Sequence, residues 1–120
     1  MTDGGIPHGL GLVVYIINSE PGEHPEKRVD LFADHLAYVN GLEKKGVLFA
    51  AGPLVDETDT PIGRGMIVVR AKDAEEASEI AFQDPFHKNN VRQFSVQAWR
   101  VNEGRLNVSI NYSDGTCEIS

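Results

Sequence analysis

The sequence predicts an α+β fold in which two helices cover one face of an antiparallel sheet. Three observations point there. Val- and Ile-rich runs suited to strands occur four times, helical periodicity occurs twice between them, and the elements alternate as strand–helix–strand–strand–helix–strand. With 120 residues the chain has the length of one typical domain. Its 41% hydrophobic residues can fill a core, and its 24% charged residues suit a wet surface.

Each element has a local cause. Residues 1–9 are rich in Gly and contain Pro7, so they read as a loose leader; His8 within it reads as a tail histidine before a metal ligand. Leu10 to Asn18 is an apolar, β-branched run and reads as a buried strand. Pro21, Gly22 and Pro25 mark residues 19–25 as a loop. From Glu26 to Lys45 the period becomes helical. Val29, Phe32, Leu36 and Val39 form one stripe, with Leu31, His35 and Leu42 beside it. Acidic residues early and lysines late complement the helix dipole, and Gly46 is a natural stop.

Val47 to Val55 reads as a second strand interrupted at Gly52-Pro53. Proline cannot donate to a ladder, so this point is an edge, a bulge or a strand end. Asp56 to Arg64 is a polar loop, and Gly65 to Ala71 a third strand. Asp73 opens the second helix, with Glu76 in capping-box position. That helix ends near Asp84, because a residue before proline avoids the helical region. Residues 86–90 form a short connection, and Val91 to Val101 a fourth strand. In the polar remainder Leu106, Val108 and Ile110 alternate, as in a strand or hairpin.

This order is that of the ferredoxin-like βαββαβ plait. The domains expected are a leader over 1–9, the ferredoxin-like domain over 10–102 and a C-terminal extension over 103–120. In the first and third strands both alternating sets of residues are apolar, so the helix-free face also needs cover. Two such sheets packed face to face would supply it, which predicts a homodimer with a shared barrel-like core.

Charge and motif content exclude several classes. A net charge of −7 opposes non-specific binding to nucleic acid. There is no apolar stretch long enough to span a membrane, and Leu10 to Ile17 lacks the basic lead-in of a signal peptide. The single Cys117 fits a reducing, cytoplasmic setting. Glycine-rich nucleotide loops, HExxH, paired CxxC and G-x-S-x-G are all missing, so neither cofactor nor metal is expected. A small-molecule ligand remains.

His35 and Asp84 are the main candidates for chemistry. A histidine amid Phe32, Leu36, Val39 and Leu42 needs a polar partner. It is either a satisfied core histidine or a proton carrier. Asp84 either ends a helix before Pro85 or orients the His35 ring; burial against Phe86 would instead make it a proton donor. Gly52-Pro53 is either a kink or a close approach of backbone to ligand. Arg28, two turns before His35, could hold an anion. His87 follows Phe86 and could border the same pocket, and Tyr15 and Trp99 could line it.

The segments Glu26-Lys27-Arg28, His35-Leu36, Ala51-Gly52-Pro53 and Gln83-Asp84-Pro85-Phe86 stand in the order and spacing of YCII-related (YciI-like) proteins. The chain resembles that family over roughly residues 10 to 101. The resemblance implies a ferredoxin-like, dimeric α+β barrel with His35 and Asp84 as a catalytic dyad. It also implies a lyase or isomerase of small hydroxylated aromatic or lactone-type compounds. One departure is Phe32, where many relatives carry a second arginine; it favours a more apolar ligand. The expected function is a cofactor-independent isomerase or lyase moving a proton on a small cyclic or aromatic catabolite. The alternatives are a small-molecule binding or sensing protein on the same fold, and an assembly module built on the tail.

Overall fold

A computed structural model describes residues 9–120 together with the backbone of 2–3 and 6–7; His8 and most of the expected leader lie outside the described residues. The chain forms two compact units, one spanning residues 13–100 and one made from the chain ends, 1–12 and 101–120.

The main elements are β1 (Leu12–Pro21), α1 (Arg28–Lys44), β2 (Leu48–Val55), β3 (Pro61–Val69), α2 (Ala74–Gln83), the short α3 (Pro85–Lys88) and β4 (Arg92–Val101). The four strands form one sheet in the order β2-β3-β1-β4. This is the ferredoxin-like plait. Strand β3 pairs antiparallel with both neighbours, setting Tyr15 opposite Val69 and Ile17 opposite Ile67. On the helix side Ile17, Val69, Ala77 and Ala81 make a buried cluster. Burying a side chain such as Ile17 or Val69 contributes about 1.5–3 kcal/mol.

Helix α1 is preceded by a 3-10 turn, Pro25–Lys27, so it begins later than its periodicity suggests. Its inward row also differs from the expected stripe. Leu42 is buried and Leu31, His35, Tyr38 and Val39 are half-buried, whereas Val29, Phe32 and Leu36 are exposed. Two adjacent rows of this helix are apolar, and packing against the sheet selected the one that carries His35. The Tyr38 hydroxyl donates to the Ile80 carbonyl at 2.7 Å and ties α1 to α2.

Helix α2 is capped by Asp73, whose Oδ1 accepts from the Glu76 amide at 2.8 Å, while Glu76 Oε1 accepts from the Lys72 amide at 3.0 Å. It stops at Gln83, because Asp84 is extended (ψ 124°) ahead of Pro85. The plain connection expected after it is instead the helical turn α3. Pro85 presets the backbone there, and Asp84 caps the turn by accepting from the Phe86 amide at 2.9 Å.

Strand β2 lies at the sheet edge, where the missing N–H of Pro53 is tolerated, and the register shifts between Pro53 and Val55. Strand β3 starts at Pro61, earlier than its apolar run suggests, which shortens the loop to a tight turn around Asp56. On the helix-free face Ile16 and Ala50 both pair with Val68, and Phe49 meets Trp99 edge-to-face at 6.5 Å. Phe49 and Trp99 stay 37% and 41% exposed. In the unit of chain ends, β5 (Val108–Ile110) and β6 (Cys117–Ile119) form an antiparallel hairpin. No helix among the described residues is long and apolar enough to cross a membrane.

Candidate active site

The inward row of α1 and the α2–α3 junction bring His35 and Asp84 together. His35 Nδ1 lies 2.8 Å from Asp84 Oδ1 and 2.9 Å from Oδ2. A carboxylate can only accept, so Nδ1 carries the proton and donates. Asp84 is 1% exposed, and the Phe86 amide gives its Oδ1 a second hydrogen bond. The His35 ring stacks on Phe86 with centroids 4.1 Å apart and planes 7° from parallel. Two contacts thus set the ring: Asp84 at one edge and Phe86 on one face. Nε2 has no partner among the described residues and is left for a ligand.

His35 opens onto a cavity of about 490 Å³ between α1 and the β2–β3 edge of the sheet. That size suits a ligand of one or two rings. Arg28, Phe32 and Leu36 line it from α1, Gly52 and Pro53 from β2, and Phe86 from α3. Phe32 and Leu36, exposed on the helix, are therefore the apolar wall of this cavity. The Arg28 guanidinium lies 5.1 Å over the Phe32 ring.

The YCII-related domain family matches residues 12–100. The chain belongs to the YCII-related family. No functionally curated protein matches it. Among solved structures it is similar to the 5-chloro-2-hydroxyhydroquinone dehydrochlorinase of Burkholderia phenoliruptrix, in complex with 2,5-dihydroxybenzoquinone. The two are 21% identical with a TM-score of 0.54, over 78% of this chain and 96% of that one. At that identity the likeness establishes the shared fold.

Not every expected residue of this YCII-related chain reaches the cavity. His87 is not among its lining residues. It is 4% exposed and sits behind the wall, where Nδ1 donates to the Ala81 carbonyl and Nε2 accepts from the Ser19 hydroxyl, both at 2.8 Å. Burial pushes its pKa below the ordinary histidine value, with the Ala81 bond opposing that shift. Tyr15 packs against the helix-side core and Trp99 against Phe49, so neither lines the cavity.

Three lining residues carry no sequence signal. Ser19 lies beyond the apolar run, in a stretch that reads as loop. Arg92 opens β4, and Arg64 sits in a weak Gly-Arg-Gly segment. Arg92 Nε donates to Ser19 Oγ at 2.8 Å, and its Nη2 to the carbonyls of Ser19 and Gly63 at 2.9 and 2.7 Å. These partners are too far apart in sequence for local pattern to join them. Gly63, at φ +90°, adopts a backbone that other residues rarely reach, and it turns its carbonyl to Arg92. Among the described residues no three His, Cys, Asp or Glu side chains gather as a metal ligand set.

Proposed function

We propose that this YCII-related protein is a small cofactor-independent enzyme in which His35 moves a proton and Asp84 orients and balances it. The reaction class is isomerisation or elimination on a small hydroxylated cyclic or aromatic compound. One observation carries this reading: a buried carboxylate holds His35 by Nδ1 while the ring borders a cavity sized for one or two rings. The similar dehydrochlorinase, which acts on a chlorinated hydroquinone, supports the substrate class. A positioned acid or base contributes about 10²–10⁴-fold. The substrate must therefore already carry an acidified C–H or a good leaving group.

Deuterium exchange in D2O tests this directly. Hydroxylated and halogenated quinols and unsaturated lactones are incubated with the protein, and C–H exchange or halide release is followed by NMR. Exchange that disappears in His35→Ala is the expected result. Turnover that persists undiminished in that variant would remove His35 from the chemistry.

We infer that the protein is also a homodimer. Its contact surface would be the helix-free face around Phe49 and Trp99, two large apolar side chains that stay partly exposed there.

A further inference from the structure

We propose that the cavity is built for an anion: Arg28, Arg64 and Arg92 form the receptor for a carboxylate carried by the substrate, beside His35. This rests on the proton-transfer reading above and narrows its substrate to carboxylated rings or enols.

The chain carries a net charge of −7, yet three of its six arginines line one cavity. They come from three elements: α1, β3 and β4. None forms an ion pair with a carboxylate of the described residues. Arg92 is held by three neutral acceptors, two carbonyls and a hydroxyl, which place its guanidinium without cancelling the charge. Its Nη1 has no partner among the described residues. Asp84 is occupied by His35 and the Phe86 amide. Asp84 and, less strongly, Glu20 act on Arg92 through space, and neither forms an ion pair with it. Arg28 stacks on Phe32, which orients its planar fork, and its N–H groups have no partner among the described residues.

A half-buried guanidinium without a counter-ion is costly, and a bound anion offsets that cost. Planar, two-pronged donors match a carboxylate better than a lone hydroxyl. Phe32 removes one arginine from α1, and the sequence alone therefore suggests an apolar ligand. The fold restores the charge from strands that the sequence does not connect to the site. Arg92 also depends on the buried His87, which fixes the Ser19 hydroxyl that Arg92 contacts.

The test compares 2,5-dihydroxybenzoate with 2,5-dihydroxybenzamide by titration calorimetry on the full chain. The two share ring, hydroxyls and shape and differ in charge. The carboxylate is expected to bind at least about 10-fold tighter. That preference should shrink in Arg28→Gln and in Arg64→Gln, whose exposed side chains leave the fold intact by circular dichroism. Equal affinities, an unchanged preference in both variants, or binding of neither compound at millimolar concentration would each overturn the anion site. Carboxylate-selective binding without any deuterium exchange would leave the anion site standing and remove the enzyme reading. Exchange on neutral substrates alone would do the reverse.

Discussion

His35 lies flat on Phe86, and the amide of that same Phe86 holds the carboxylate that holds His35. One residue therefore sets the tilt of the ring and the position of its partner. Phe86→Leu keeps apolar bulk but removes the flat support. The fold should survive, with exchange at a substrate C–H slowed about 10-fold through lost orientation. Phe86→Ala should cost about 3–5 kcal/mol, read by urea unfolding, because Phe86 is buried.

His35→Ala should lower kcat by about 10²–10⁴-fold. It also leaves the buried Asp84 carboxylate without its partner, so the melting temperature should fall as well. Asp84→Asn keeps an acceptor for the Phe86 amide but loses the charge facing His35. It should lower kcat while staying folded. Asp84→Ala additionally removes a helix cap, which should cost about 0.5–2 kcal/mol in chemical denaturation.

His87 gives the fold a pH dependence. Its pKa is lowered by burial, so the unfolded chain binds a proton more readily than the folded one. Stability is therefore lost as pH falls below the unfolded value of about 6.5 and on through the lower folded value. His87→Gln, which can still donate and accept, should flatten the fall in melting temperature between pH 7 and pH 5. An unchanged pH slope would show that other groups govern acid unfolding.

Gly22 ties the β1–α1 loop to the segment that follows α3. Its amide donates to the Val91 carbonyl at 2.9 Å, and a Cβ there would stand 2.5 Å from the Asn90 oxygen. Backbone atoms on a hydrogen-bonded junction cannot step aside cheaply. Gly22→Ala should therefore destabilise by about 1–3 kcal/mol. Calorimetric unfolding within 0.5 kcal/mol of the parent would contradict this.

The proposed dimer makes a mass prediction. Sedimentation at micromolar concentration should show a species of twice 13.2 kDa. Trp99→Lys, on the helix-free face, should shift it towards the monomer, because a charge opposite a like copy of itself is unfavourable.

Local pattern carried much of this fold. Apolar runs, the Asp73 cap, the proline after Asp84 and the polar tail are all properties of neighbouring residues, and each marked an element to within a few positions. The pairing of His35 with Asp84 was one of two readings that residue chemistry left open, and forty-nine positions of separation meant that only the family's motif spacing favoured it. Tertiary packing alone decided which row of α1 turned inward: the row of Leu31, His35, Tyr38 and Leu42 is the less apolar of the two, so periodicity by itself points to the other. Packing also moved His87 behind the cavity wall and brought Arg64 and Arg92 to the front. Periodicity reports what one element can bury, whereas a site is made by side chains from separate elements. Their meeting depends on sheet order and register, which no single segment encodes.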